Sequence, residues 1–227
     1  MSILAIAAHP DDIESWCAGT LARSVDAGAQ VRLLLVTSGD KGTSDPVADS
    51  SHVAAQREQE ALQAAAELGL VEVDFLRHPD GEVEDTRLLR GQFVAAIRRW
   101  KPQVVFTHDP EHPYPPYFSH RDHRIVGRTA LDAVYPLARD RLSFSEQAAE
   151  GLTPHNVREV WLFASTAAVS YVDISSTFDR KIAARLAHRS QTSDPDSLRE
   201  NWSARAQSTG SAVGLELAEA FTILRLE

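Results

Sequence analysis

Ile3-Leu4-Ala5-Ile6-Ala7-Ala8-His9-Pro10-Asp11-Asp12-Ile13-Glu14 decides the fold. An apolar run at residues 3–8 with no polar alternation reads as a strand buried on both faces, the kind that parallel sheets use. The polar residues come only after it. One imidazole and two adjacent carboxylates therefore stand at the carboxyl end of a central strand, where open α/β sheets keep their chemistry.

Working outward, residues 12–27 read as a helix stopped by Gly28, and residues 31–36 as a second strand. The unit repeats: helix 53–68 stopped by Gly69, strand 71–76, helix 86–100, strand 104–107. Strands alternating with helices predict an α/β fold of the Rossmann-like, doubly wound type, a mostly parallel sheet with helices on both faces. Its strand ends gather residues 9–12, 37–43, 77–81 and 108–123 on one rim. Beyond residue 136 the pattern loosens. A short helix at 143–151, strands at 159–164 and 171–174, helices at 177–188 and 198–207 and a last strand at 221–226 read as an elaboration of the first part. We expect one domain over residues 1–227, with a core at about 1–135.

The 227 residues, 43% of them hydrophobic, suffice for a substantial core. With 23 Lys plus Arg against 32 Asp plus Glu, the net charge of −9 disfavours nucleic acid or an acidic membrane surface and favours a neutral or cationic small molecule. The single cysteine, Cys17, cannot form an internal disulfide, and it falls in a helical stretch where packing is the simpler role. The start lacks the pattern of a secretory signal, and no stretch approaches the roughly 20 apolar residues of a membrane span. The expected location is cytoplasmic.

Successive residues of a strand point to opposite faces, so Asp11 and Asp12 share one site only if the chain turns there. Across such a turn His9 and Asp12 can reach one ion while Asp11 faces its open side. Two residues that hold a metal and one carboxylate that takes a proton from water make the division of labour of a metal hydrolase. The plainer alternative is a pair of acids charging a helix N-terminus.

Ser119-His120-Arg121-Asp122-His123 supplies the rest. Ser119 reads as an N-cap of a helix running to about residue 135, which places His120 and His123 on one face of its first turn. If His123 binds the ion, His120 lies beside it to stabilise an oxyanion or protonate an amine, and Asp122 can fix an imidazole's tautomer. His108 and His112 compete for the metal on spacing alone. Tyr114, Tyr117 and Trp202 offer flat faces to a sugar ring.

AHPDDIE at residues 8–14 and HRDH at residues 120–123 resemble the signature of the PIG-L/LmbE-like family of zinc-dependent N-acetylglucosaminyl deacetylases. Thr37 to Thr43, Arg57-Glu58 and Pro79-Asp80-Gly81 extend the resemblance, and His188-Arg189-Ser190-Gln191 looks like a late family element. The resemblance implies that His9, Asp12 and His123 hold one Zn2+, with Fe2+ an alternative occupant, and that Asp11 is the general base. It implies that His120 stabilises the oxyanion or protonates the amine, helped by Asp122. Arg57 corresponds to an arginine that contacts sugar hydroxyls. Some members place a tyrosine where Phe118 stands, so Tyr117 is the residue left to meet the substrate. The implied reaction removes an acetyl group from an N-acetyl amino sugar or its conjugate. Family members are often multimeric, so a homo-oligomer is compatible with the resemblance. The rival from the residues alone is a magnesium-dependent phosphoryl-transfer or phosphate-binding domain, against which His9 is a poor magnesium ligand.

Overall fold

The computed structural model describes residues 1–111 and 119–226. Strands β1 (Ser2–Ala7), β2 (Gln30–Thr37), β3 (Glu72–His78), β4 (Val104–His108), β5 (Glu159–Phe163), β6 (Ser170–Asp173) and β7 (Ala218–Arg225) join in one sheet of order β3-β2-β1-β4-β5-β7-β6. The first five are parallel, β7 runs antiparallel to β5, and β6 antiparallel to β7. The sheet is therefore mostly parallel, as the alternation predicts.

Why β1 is apolar after Ser2 is visible in its two faces. Leu4, Ile6 and Ala8 pack with helices α4 (Arg87–Trp100) and α5 (Arg121–Asp132) on one side. Ile3, Ala5 and Ala7 pack with α1 (Asp12–Trp16), α2 (Ala18–Asp26) and α3 (Ser50–Leu68) on the other. Each of these residues, 3–8, is buried, so a polar residue at any of these positions would lose its water.

Strand order reverses between β1 and β4, which makes the crevice at their carboxyl ends the topological switch point. His9 follows β1 there, and His108 ends β4. The second half of the chain builds onto this frame: β5 pairs with β4, and α6 (Phe178–Ala187) packs against α3. Helix α7 (Pro195–Ser211) lies against β7, its start capped by Asp194, whose carboxylate accepts from the Ser197 amide at 3.1 Å.

Two local expectations are corrected. The helix expected over residues 12–27 is two helices, because Cys17 leaves helical geometry (φ −140°, ψ 4°). Cys17 is fully buried, and burial pushes its thiol up, in keeping with packing rather than nucleophilic attack. The N-cap of α5 is His120, not Ser119: its Nδ1 accepts from the Asp122 amide at 3.2 Å. Among the described residues no helix is long and apolar enough to cross a membrane.

Candidate metal centre and active site

Between β1 and α1 the chain makes the turn that two adjacent aspartates need. Asp11 takes a left-handed conformation (φ 89°, ψ −5°), uncommon for a residue with a side chain and tolerated best by Asp and Asn. The reversal sends Asp12 into the crevice and Asp11 to one side. The Asp12 carboxylate accepts from the His9 amide at 2.7 Å, closing the turn.

Three side chains then converge. His9 Nδ1 lies 3.2 Å from His123 Nε2 and 3.6 Å from the Asp12 carboxylate, which stands 3.0 Å from His123 Nε2. A tetrahedral ion with ligand bonds of about 2.0–2.1 Å keeps its ligand atoms about 3.3 Å apart, the spacing found here. The donor set of two imidazoles and one carboxylate suits zinc or iron and not magnesium. Overlapping triplets of candidate ligand atoms, each within 4.8 Å, comprise His9, His120 and His123; Asp12, His108 and His123; and His9, Asp80 and Asp122.

The His9, Asp12 and His123 set is none of these three but draws on the first two, and hydrogen bonds decide what each side chain has left to offer. His9 Nε2 faces Asp80 Oδ1 at 3.0 Å and Asp122 Oδ2 at 3.3 Å, so when the ring is neutral its proton belongs on Nε2 and Nδ1 is the nitrogen offered toward His123. A carboxylate behind the imidazole is the usual support of a metal-bound histidine. Without an ion, burial alone would push the His9 imidazolium down, but its bonds to Asp12, Asp122 and Asp80 win and raise it to about 11. His108 is fully buried behind Asp12. Its Nε2 lies 3.2 Å from both the Ala8 amide and Asp12 Oδ2, and whichever bond it makes commits that atom. Burial and the neighbouring His123 push it down to about 4, keeping it neutral. His112, the other competitor, lies outside the described residues.

Asp122 departs from expectation. Its carboxylate serves His9, not His120, and also accepts from the amides of Gly81 at 2.7 Å and Val83 at 3.3 Å. Burial opposes its charge, but His9 and the Gly81 amide hold it below the usual carboxylate range. What fixes the His120 tautomer is the Asp122 backbone: with Nδ1 accepting from that amide, Nε2 carries the hydrogen. His120 is exposed. Partial burial and the neighbouring His9 and His123 push it down, so it is a neutral donor.

Asp11 is raised above the ordinary carboxylate value by burial and by Asp12, with Arg57 and Arg185 pulling the other way. Arg57 is 4% exposed, and its donors go to protein: Nη1 to Gly39 O at 3.0 Å, Nη2 to Pro10 O at 2.7 Å and to Asp11 Oδ1 at 3.3 Å. It stands beside Asp11, with these bonds turned inward to the protein. Tyr114, Tyr117 and Phe118 lie outside the described residues, and Trp202 packs on α7 against Lys181 and Arg205. Two nearby residues escaped the reading of the sequence as parts of the site. Asp80 appeared only as part of a motif, without a partner, and Arg185 sits on a helix far along the chain.

With this geometry in view, the comparisons decide the family. The family model described as GlcNAc-PI de-N-acetylase, PIG-L, matches residues 4–134. The chain belongs to the PIG-L family. This PIG-L chain is 32% identical over 200 residues to diacetylchitobiose deacetylase of Thermococcus kodakarensis, covering 88% of the chain and 73% of the relative. It is 30% identical to a 1D-myo-inositol 2-acetamido-2-deoxy-alpha-D-glucopyranoside deacetylase of Streptomyces avermitilis, over 62% of the chain and 56% of that relative. Among solved structures it resembles N,N′-diacetylchitobiose deacetylase from Pyrococcus horikoshii with a TM-score of 0.90 and 30% identity, over 99% of the chain and 84% of that structure. The PIG-L chain is thus a hydrolytic N-deacetylase of a metal-dependent family.

Proposed function

We propose that this enzyme is a zinc-dependent hydrolase that removes the acetyl group from an N-acetyl amino sugar of the N-acetylglucosamine type, or from a conjugate of one. The observation that carries the reading is the convergence of His9 Nδ1, Asp12 and His123 Nε2 at 3.0–3.6 Å with Asp11 turned aside from them. His9, Asp12 and His123 would hold the ion. When bound, zinc polarises the acetamide carbonyl and brings the pKa of a water toward about 7.

The chain's own residues divide the remaining work. Asp11, raised by its burial, takes the proton of the attacking water and returns it to the departing amine nitrogen. His120 Nε2–H donates to the oxyanion that develops on the acetamide. Asp122, with Asp80 beside it, holds the His9 ring so that its free lone pair stays turned to the ion. Water and amide give acetate and a free amine. The reading takes residues 1–227 as one domain, supported by the pairing of β5 with β4 and the packing of α6 on α3.

The test is a screen of purified, metal-loaded protein against N-acetylglucosamine, N,N′-diacetylchitobiose and related acetamido sugars with free-amine detection. One released amine per acetate is expected. Failure to cleave any acetamide, or magnesium-dependent phosphatase activity in its place, would overturn the assignment.

A further inference from the structure

Asp11 bears two unusual demands. Its backbone is left-handed, and its carboxylate lies beside that of Asp12, whose charge opposes its own. It sits at the N-cap of α1 without making a side-chain cap bond, so α1 relieves neither demand.

Two arginines from distant parts of the chain meet it. Arg57 on α3 threads between two glycines: a Cβ at Gly39 or Gly42 would lie 2.1 Å from its Nη1. That slot delivers Nη2 to Asp11 Oδ1. Arg185, near the end of α6 and 9% exposed, reaches the other oxygen, Nη2 to Oδ2 at 3.5 Å. Arg185 is itself anchored, donating to Thr192 Oγ1 at 2.7 Å and to Gln191 O at 2.9 Å. The adjoining segment is pinned in turn: Ser190 donates through N and Oγ to Glu60 at 2.9 and 2.6 Å, and Gln191 Nε2 donates to Gly42 O at 2.8 Å. His188-Arg189-Ser190-Gln191 thus closes onto the very glycine that Arg57 passes.

Close by lie Glu14 and His188, 2% and 0% exposed, with Glu14 Oε2 and His188 Nε2 at 3.5 Å. Glu14 Oε2, both His188 ring nitrogens and the Nε atoms of Arg57 and Arg185 are buried without a hydrogen-bond partner among the described residues. An unsatisfied buried polar atom loses its water without replacement, so folds tolerate few of them and such a cluster calls for a role beyond packing.

We propose that Arg185 is a positioning residue for the catalytic base: with Arg57 it clamps the Asp11 carboxylate from two sides. Residues 185–191, outside the span that the family model matches, then complete the active site. The proposal rests on Asp11 being the base.

Arg185→Met, Arg185→Ala, Arg185→Lys and Asp11→Asn, each metal-loaded, are to be compared on N,N′-diacetylchitobiose for kcat, KM and bound metal. Displacing a reacting group by about 1 Å costs about 100-fold, so Arg185→Met is expected to lose about 10- to 100-fold in kcat with KM and metal content held. Arg185→Lys recovers part of the loss. Free guanidinium restores turnover to Arg185→Ala and not to Asp11→Asn. Wild-type kcat in Arg185→Met, or a raised KM with kcat intact, overturns the clamp. An active Asp11→Asn overturns the base assignment instead, so the two failures are distinguishable. Should Arg185→Met not fold, Gln191→Ala removes the tie to Gly42 while keeping the guanidinium. Wild-type turnover in both Gln191→Ala and Arg185→Lys then overturns the clamp.

Discussion

Glu219 on β7 reaches across the chain to hold the start of α2. Its carboxylate accepts from the amides of Gly19 at 3.0 Å and Thr20 at 2.8 Å, from Thr20 Oγ1 at 2.6 Å and from Lys181 Nζ at 2.6 Å. Glu219 is 5% exposed and Lys181 2%, so the pair is an ion pair out of water. Glu219→Gln keeps the shape but leaves the Lys181 ammonium buried without its countercharge and turns an amide NH2 toward hydrogen-bond donors. Breaking one half of a buried pair costs about 3–5 kcal/mol, a large part of the roughly 5–15 kcal/mol that holds a domain together. At about 2–4 °C per kcal/mol for a chain of this size, the melting temperature should fall by about 6–20 °C. Urea and thermal unfolding read this directly. Removing the ammonium as well, as in Lys181→Met with Glu219→Gln, should recover part of the loss, because no uncompensated charge is then buried while the amides of Gly19 and Thr20 keep an acceptor. A Glu219→Gln variant within about 1 kcal/mol of wild type would refute the claim that this pair is dry and mutually dependent.

Other expectations follow from the site and its frame. Asp122→Asn should weaken metal affinity by about 10- to 100-fold through His9, read by competition with a chelating dye. Gly42→Ala places a Cβ 2.1 Å from Arg57 Nη1 and should lower kcat while the far-ultraviolet circular dichroism stays unchanged. Asp85 bonds Arg90 through both oxygens at 2.8 and 2.6 Å and accepts from Thr129 Oγ1 at 3.1 Å, which holds it below the usual carboxylate range. A depressed carboxylate stabilises the fold above its unfolded pKa and loses that contribution as pH falls through the folded value. The stability difference between wild type and Asp85→Asn, measured by urea unfolding, should therefore be present at pH 6 and shrink below about pH 4.

The parallel core was legible because both faces of β1 are covered, which leaves a continuous apolar run that needs no partner information to read. His9, Asp11 and Asp12 were legible because three polar residues directly after such a run have no packing explanation. What the sequence hid were partnerships across distance. Asp122 reads as a neighbour of His120, yet its carboxylate turns to His9, because the amides of Gly81 and Val83 stand on that side. Arg185 lies inside the helix expected over residues 177–188, and only the packing of α6 on α1, α2 and α3 brings it to Asp11. The break at Cys17 has no local breaker residue. It coincides with the point where Glu219 caps α2 from another strand.

The most direct test of the account is Asp11→Asn in the metal-loaded enzyme, with bound metal and released acetate measured on the same sample. About one metal ion per chain is expected, as in wild type, with turnover reduced by about 100-fold or more. Retained turnover, or loss of the metal together with the activity, would contradict the separation of holding residues from the acting one.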